Sequence, residues 1–477
     1  MSRPLWAMAV VVALGLSYAI GWGVLRLLRV DRSALGWVGR WSCAWLLGTY
    51  VTSLCLFLLS LGGLRPSIAG PLIVAIGVIA AAVAIDRPRW PRLPSLRLAR
   101  RPDGVVELLA GLAKAALVLI IVWGLVAVAG EACSTPMQDW DGRAIYALKA
   151  KLLFDQPITT VEYFKAMRLS FSHRHYPLLV PFMEVHIWTW VGQPDDWAIM
   201  PLFPLFTAAL VGAVYAFARI LAGPWAGLVA AAAVALAPRF AYGASTACAD
   251  VPLGAYHVVL IGAGVWMLRS PDRSKLVLMA AMMAGAIFAK AEGDANAAVA
   301  GLVFLTAYLV RTRSPRAAAL AALVLASGLA VSVPWLAFRR TVPDASFTST
   351  GYLHDLLHLH ETAPPGEITE VIALIFKKLG PTDDYGGFWL VLAAAVLLHP
   401  RRLVKAESAV ILAVVLLNMA IYTSVTLVIG PPMTPLGQAD AVFPRLLTHL
   451  IGPAAILLAI QWFPFPSPPR SRPAPPR

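Results

Sequence analysis

Charged residues are scarce in this sequence. Only 13% of its 477 residues are Asp, Glu, Lys or Arg, whereas 59% are hydrophobic. Soluble domains carry about 25% charged residues, so this composition excludes an ordinary soluble protein and indicates an integral membrane protein. Acids are scarcer than bases, 25 against 39, which gives a net charge of +14. The bases lie in short segments between apolar runs, a positive-inside pattern that argues against a nucleic-acid partner.

Several other features are missing. Four cysteines are too few for a disulfide-rich scaffold, although Cys133 and Cys248 both follow apolar runs and leave one external disulfide open. The sequence contains no Gly-rich strand–helix fingerprint, which excludes a soluble nucleotide-sugar site of that type. It has no internal repeat, which weakens a transporter interpretation. No small-residue cleavage site follows the first apolar run, so we expect a membrane span there and not a cleaved signal peptide.

The apolar runs predict an all-α polytopic membrane protein with about thirteen transmembrane helices. Because basic loops stay in the cytoplasm, the Arg- and Pro-rich linker before residue 105 orients these helices. The expected location is the plasma (inner) membrane, with a cytoplasmic C-terminus. The predicted spans are residues 5–28, 38–61, 68–85, 106–129, 198–220, 225–238, 252–268, 276–289, 295–310, 317–337, 386–399, 406–428 and 443–462.

We expect three regions. Residues 1–104 hold three N-terminal transmembrane helices and the basic cytoplasmic linker, and residues 105–463 form a catalytic transmembrane core. The Pro-rich residues 464–477 are expected to be a disordered cytoplasmic tail. Large external (periplasmic) loops are predicted at residues 131–197 and 339–387, and the Trp-rich run within the first favours an interfacial helix.

The segment Asp139-Trp140-Asp141-Gly142-Arg143 follows the apolar run 106–129. Charge is costly in hydrocarbon, so these groups belong at the membrane–water boundary. A carboxylate at such a boundary can deprotonate a hydroxyl, because burial and neighbouring cations set its pKa. The alternative is a pair of structural loop acids neutralised by Arg143 and Lys149.

Five short motifs, in this order, resemble the GT-C superfamily. These are polytopic glycosyltransferases that use lipid-phosphate-linked sugars, and they include the protein O-mannosyltransferases and the aminoarabinose transferases of lipid A (glycosyltransferase family 39-type). The matching motifs are Asp139-Trp140-Asp141, Tyr176-Pro177-Leu178, Asp250-Val251-Pro252-Leu253, Lys290-Ala291-Glu292-Gly293 and Phe443-Pro444-Arg445-Leu446-Leu447. The resemblance covers residues 106–462. Those families usually have adjacent acids at the first motif and Tyr-Pro-Pro at the second, so donor and acceptor stay open.

The resemblance implies an enzyme that moves a sugar from a polyprenyl-phosphate-sugar donor to a lipid, glycan or protein acceptor on the external face, with inversion. Asp141 is the expected general base, and Asp139 is the second choice or an orienting partner. Cations must hold the donor phosphate, since charge-assisted hydrogen bonds stabilise its oxygens. The phosphate-binding candidates are Lys290, Arg445, Lys149 and Arg174.

Four residues are candidates for the sugar or acceptor site, namely Asp250, His175, Tyr176 and Glu292. Each of the cations has a simpler alternative, which is snorkelling to lipid headgroups. Asp250 also has a simpler alternative, which is a helix N-cap. Asp is a preferred N-cap residue, and Pro252 follows it.

The sequence requires no cofactor and leaves a divalent metal open. The group His354, His358, His360 and Glu361 has helical spacing that suits Zn²⁺, but an amphipathic surface helix explains it better. Two other functions stay open. An O-antigen ligase or polymerase would depend on Arg174 and the histidines. A lipid or solute transporter would need ionisable groups near the bilayer midplane, whereas the acids here cluster in loops.

Overall fold

The computed structural model describes residues 3–85, 104–137, 139–343, 356–358, 365–428 and 434–463. The described residues form helices joined by short turns, with no strand among them, which confirms the predicted all-α class. The basic linker 86–103, the tail 464–477 and the histidine group except His358 lie outside the described residues.

The α-helices are α1 (Arg3–Leu27), α2 (Arg32–Leu61), α3 (Ala69–Ile85), α4 (Val105–Ser134), α5 (Leu148–Asp155), α6 (Leu179–Val191), α7 (Asp196–Ile199), α8 (Leu202–Ala222), α9 (Pro224–Ala235), α10 (Arg239–Ser245), α11 (Asp250–Arg269), α12 (Arg273–Ala289), α13 (Gly293–Thr312), α14 (Pro315–Thr341), α15 (Pro365–Lys378), α16 (Phe388–Leu398), α17 (Ala406–Val428), α18 (Pro435–Leu447) and α19 (Ile451–Trp462).

Every predicted span corresponds to helix, but the helices differ in length. Eight are long and apolar enough to cross a membrane, and two bent pairs, α9 with α10 and α18 with α19, bring the number to ten if each pair is one span. The bends are 59° and 58°. Helices α3 and α16 are apolar but shorter. The protein is therefore an integral membrane protein with a multi-helix core.

Loop residues fix where several of these helices begin. Asp31, Asp195 and Asp272 each accept a hydrogen bond from the backbone N–H two residues later, at 2.9, 2.9 and 3.0 Å. Such caps satisfy backbone donors that the first helical turn leaves unpaired. The short polar segments between apolar runs thus end one helix and start the next.

The helices differ in how deeply they are buried. Helix α11 is enclosed by α8, α12, α13 and α19, and its residues from Asp250 to Leu268 are all buried. Helix α4 has most of its apolar side chains exposed, as expected of a lipid-facing helix. The Trp-rich run predicted as an interfacial helix is α6, which the structure buries against α1, α2 and α5. Within this protein α6 is therefore a core helix.

The chain direction brings four loop segments to one end of the bundle. Helix α4 ends there and α11 begins there, and α12 returns to the same end before α13 leaves it. The turn after α4 carries Asp139 and Asp141, the start of α11 carries Asp250, and the α12–α13 turn carries Lys290. Helix α18 adds Arg445.

Candidate active site

Arg445 joins two acids that are distant in sequence. One arm of its guanidinium donates to Asp141 Oδ2, and Nη2 donates to Asp250 Oδ2 at 3.0 Å. The side chains of Arg445 and Asp141 are about three-quarters buried, and that of Asp250 is 8% exposed. A planar guanidinium suits this bridge, because its fork of N–H groups can serve two carboxylates at once.

Lys290 completes the opposite side of Asp250. Its ammonium lies 2.8 Å from Asp250 Oδ1 and 2.8 Å from Glu292 Oε1, and its side chain is 4% exposed. Burial alone would lower the pKa of Lys290, but the two carboxylates hold it above its ordinary value. Burial alone would raise the pKa of Glu292, and Lys290 brings it below its ordinary value. Lys290 and Glu292 therefore stay ionised at neutral pH.

Two glycines permit these close approaches. A Cβ at Gly142 would lie 2.2 Å from the Thr246 carbonyl oxygen, so only glycine lets the turn carrying Asp141 reach the segment before Asp250. Gly142 also begins a π-helix, Gly142–Ala147, a local geometry that is frequent at functional sites. A Cβ at Gly293 would lie 1.9 Å from the Ala286 carbonyl oxygen, so glycine closes the turn that presents Lys290 and Glu292.

Asp139 stabilises the turn that carries Asp141. Its Oδ1 accepts hydrogen bonds from the backbone N–H of Asp141 at 2.9 Å and of Gly142 at 3.4 Å. The Tyr242 hydroxyl lies 3.5 Å from Oδ2. Asp139 thus lies where an orienting partner of Asp141 would be expected.

A small cleft with a volume of about 30 Å³ opens beside Asp139 and Arg445. It is lined by Asp139, Arg239, Tyr242, Cys248, Arg445 and Thr448. Arg239 lies 4.9 Å from the Tyr242 ring centroid and forms a 3.2 Å ion pair with Asp384. The sequence motifs did not identify Arg239 or Tyr242, although both follow the Pro238 that ends a predicted span.

Lys149 and Tyr176 lie together on another side of Asp141. The Lys149 ammonium donates to the His173 carbonyl oxygen at 2.8 Å and lies 5.6 Å from the Tyr176 ring centroid. The rings of His173 and Tyr176 stack at 4.6 Å, and His175 packs edge-on against Tyr176 at 5.3 Å. Burial lowers the pKa of Lys149 well below its ordinary value. No carboxylate is paired with Lys149 among the described residues, unlike Lys290.

The structure does not bring Arg174 to this cluster. Arg174 donates to the carbonyl oxygens of Phe164 at 3.0 Å and Pro343 at 2.8 Å, and it is 2% exposed. His173, just before it, has a left-handed backbone with φ 43°, which turns the chain and sends Arg174 into these loop contacts. Arg174 therefore ties two loops together in this structure.

The comparisons with known proteins include a solved structure with a similar fold. No protein-family model matches the sequence, and no curated protein matches it. The fold is similar to that of ArnT from Cupriavidus metallidurans, whose crystal structure was solved bound to undecaprenyl phosphate. The TM-score is 0.51 and the identity is 17%, over 73% of this chain and 60% of the ArnT chain. The chain has a GT-C-like fold.

The GT-C-like fold was the expectation from the five motifs, and the structure confirms it. Because the match spans three-fifths of the ArnT chain at low identity, it establishes the fold and leaves the chemistry to be argued from the site. The motif residues Asp141, Asp250, Lys290 and Arg445 lie in one connected cluster. Their roles remain predictions.

One group of described residues has ligand atoms close enough together to hold a metal ion. It consists of Asp139, Asp141 and Cys248, whose ligand atoms lie within 4.8 Å of one another. Arg445 already occupies Asp141. Mg²⁺ and Ca²⁺ select oxygen ligands, so the sulfur of Cys248 makes this donor set a poor fit for either ion. Cys133 and Cys248 are free thiols and do not form the disulfide left open by the sequence.

Proposed function

We propose that this protein is a membrane glycosyltransferase that moves a sugar from a polyprenyl-phosphate-linked donor to a hydroxyl group of a lipid, glycan or protein acceptor. The reaction takes place on the external face of the plasma membrane, and the C-terminus is cytoplasmic. The GT-C-like fold supports this class, and the similar protein ArnT was solved with undecaprenyl phosphate bound. The observation that carries the proposal is the cluster in which Arg445 and Lys290 converge on Asp250 beside Asp141.

Asp141 is the general base in this proposal. The acceptor oxygen bonds to the anomeric carbon while the bond from that carbon to the phosphate oxygen breaks. The hydroxyl proton passes to the Asp141 carboxylate, and polyprenyl phosphate leaves with both electrons of the broken bond. Attack from the face opposite the leaving group inverts the anomeric carbon.

Arg445 and Lys290 stabilise the leaving phosphate. A phosphodiester donor becomes a phosphomonoester, so negative charge develops on its oxygens during the reaction. Fixed cations aimed at that charge lower the barrier, because they interact more strongly with the transition state than with the donor. The negative charge of a phosphate bound near Tyr176 would raise the lowered pKa of Lys149 and so protonate it, which adds a third cation.

Donor binding and base activation are coupled through Arg445. In this structure Oδ2 of Asp141 accepts a charge-assisted hydrogen bond from Arg445. The donor phosphate competes with Asp141 for Arg445. The Asp141 carboxylate is therefore released only when a donor is bound. Asp250 and Glu292 hold Lys290 meanwhile, and the acceptor hydroxyl approaches Asp141 from the side of Asp139 and Tyr242.

The two alternative functions have less support. An O-antigen ligase or polymerase would rest on Arg174, whose guanidinium is occupied by backbone carbonyl oxygens. A transporter would concentrate ionisable groups along its spans, whereas the largest ionic cluster among the described residues lies at the helix ends.

The test is transfer of radiolabelled sugar from undecaprenyl-phosphate-linked hexose and pentose donors by the purified protein in lipid nanodiscs. We compare the wild type with Asp141→Asn, Asp139→Asn and the control Asp155→Asn. Asp155 is an exposed acid that pairs with Arg65 at 3.6 Å, away from the cluster. We expect Asp141→Asn to lose at least about 10²-fold in kcat, Asp139→Asn to lose less and Asp155→Asn to match the wild type.

An active wild type with an equally active Asp141→Asn variant would refute the base assignment. A wild type that transfers no sugar from any of these donors to lipid, glycan or peptide acceptors would refute the glycosyltransferase function itself.

A further inference from the structure

A buried chain of polar side chains leads from Asp250 into the helical bundle. His449 Nε2 faces Asp250 Oδ1 at 3.4 Å, a contact that falls outside hydrogen-bond geometry in this structure, and Nε2 has no other partner among the described residues. On the other side of the ring, His449 Nδ1 lies 3.1 Å from the Tyr422 hydroxyl, which in turn lies 2.7 Å from Asn296 Oδ1. His449 and Asn296 have no exposed surface, and Tyr422 is 1% exposed. None of the sequence motifs contains these three residues.

The position of the His449 ring is fixed from both sides. His257 Nδ1 donates to the His449 carbonyl oxygen at 2.8 Å, which holds the backbone against α11. Just before it, the Thr448 hydroxyl lies 2.9 Å from the Tyr385 hydroxyl, which donates to the Pro444 carbonyl oxygen at 2.7 Å. The ring itself packs edge-on against Tyr422, with centroids 5.8 Å apart. These contacts therefore hold the His449 imidazole in one position.

Charge and hydrogen bonding together determine how His449 acts. His449 has no exposed surface, and burial disfavours a positive charge on its imidazole. A neutral ring donates to Asp250 only if Nε2 carries its hydrogen. Nδ1 is then an acceptor for the Tyr422 hydroxyl, and Tyr422 needs a donor of its own.

Asn296 can provide that donor. Its Nδ2 has no acceptor among the described residues, while its Oδ1 faces Tyr422. A half-turn of the amide exchanges these two atoms and places an N–H group against the Tyr422 oxygen. Asn296 then donates to Tyr422, Tyr422 donates to His449 Nδ1, and the N–H group at Nε2 of His449 points towards Asp250. Buried polar groups linked in this way keep a single arrangement, because any break leaves one of them unpaired.

We propose that His449 is a positioning residue that locks the orientation of the Asp250 carboxylate. Lys290 binds Oδ1, the unpartnered Nε2 of His449 faces the same oxygen, and Oδ2 is left for Arg445. This series of buried polar side chains thereby sets where Arg445 and Lys290 meet the donor phosphate, although His449 touches neither substrate. This inference rests on the proposed function and adds three residues to it.

The test uses two substitutions that differ only in where they place an amide. In His449→Gln the side-chain nitrogen can reach the position of Nε2 and donate to Asp250. In His449→Asn the amide lies near Nδ1 and cannot reach Asp250. Tyr422→Phe keeps the ring and removes the link. The control is Thr426→Val, which removes another buried hydroxyl of α17 whose bond goes to the Thr423 carbonyl oxygen.

We expect His449→Asn and Tyr422→Phe to lower kcat about tenfold while the acceptor KM stays within about twofold, since each loses one hydrogen bond of this chain. His449→Gln should keep most of the wild-type kcat, and Thr426→Val all of it. Melting temperatures and donor-binding stoichiometry by native mass spectrometry identify losses that come from misfolded protein. Equal kcat in the Asn and Gln variants, at equal folded fractions, would overturn the positioning role.

Binding of undecaprenyl phosphate separates this inference from the proposed function. If the wild type transfers no sugar, the proposed function fails, and the Kd for undecaprenyl phosphate becomes the readout. A Kd raised about fivefold or more in His449→Asn and Tyr422→Phe, and restored in His449→Gln, supports the positioning role. The same Kd in all variants, or no binding by the wild type, overturns it.

Discussion

Arg445 occupies the carboxylate of Asp141, the residue that we propose as the general base. The same guanidinium binds Asp250, so a single side chain connects the base to the ion pairs around Lys290. In the proposed reaction the donor phosphate competes with Asp141 for the N–H groups of Arg445, so donor binding releases the Asp141 carboxylate.

The bridge made by Arg445 gives the first prediction. Arg445→Lys keeps the charge but replaces a planar fork by a point charge that cannot serve both Asp141 and Asp250. We expect kcat/KM for the donor to fall at least about tenfold, measured by sugar transfer at saturating acceptor. The control is Arg65→Lys, at an exposed pair with Asp155. Wild-type activity in Arg445→Lys would contradict a bridging role.

The second prediction concerns the stability that the ion pairs provide. Asp250→Asn leaves Lys290, which is 4% exposed, and Arg445 without their shared carboxylate. Removing one partner of a buried pair costs about 3–5 kcal/mol, whereas an exposed pair is worth about 1 kcal/mol or less. We expect a clearly lower melting temperature for Asp250→Asn in detergent and almost none of this loss for Asp155→Asn. Similar melting temperatures for the two variants would show that Asp250 is not part of a buried ionic core.

Much of this cluster could be predicted from the sequence. Asp141, Asp250, Lys290 and Arg445 each lie at the end of an apolar run, and the alternation of spans places such ends on the same side of a membrane. The apolar runs also gave a helix for each predicted span. The motifs that resemble the GT-C superfamily selected these four residues, and their position relative to a span placed them together.

The sequence could not predict the groups that depend on helix rotation. Tyr422 and Asn296 are single polar residues within apolar helices, and only the packing of α13 against α17 brings them together. Arg174 was predicted from the sequence to bind the donor phosphate, but the structure places it elsewhere. It stands two residues before Tyr176, yet the left-handed backbone at His173 directs it to carbonyl oxygens of other loops.

Lys149 gives a prediction about pH. Burial holds the pKa of Lys149 well below the ordinary value of 10.5, so the unfolded chain binds this proton at pH values where the folded protein does not. Stability therefore rises with pH between the folded and unfolded pKa values, and it is lost as the pH falls through that window. We expect the melting temperature of the wild type to increase from pH 7 to pH 9.5 more than that of Lys149→Met.

Lys151→Met is the matched control for this difference. Lys151 lies on the same helix, is about half exposed and pairs with Asp196 at 3.4 Å. Its substitution should leave the pH dependence of the melting temperature as in the wild type. Identical pH profiles for Lys149→Met and the wild type would mean that Lys149 remains charged inside the protein.

The final prediction concerns metal removal. In the proposed reaction Lys290 and Arg445 offset the developing phosphate charge, which is the task that a divalent cation has in many phosphate-transferring sites. The candidate metal-binding group includes the sulfur of Cys248, and Arg445 holds Asp141. We therefore expect sugar transfer to stay within about twofold after treatment with EDTA, and Cys248→Ser to behave in the same way. A loss of activity that added Mg²⁺ or Mn²⁺ restores would show that the two cations are insufficient and that Asp139 and Asp141 bind a metal during turnover.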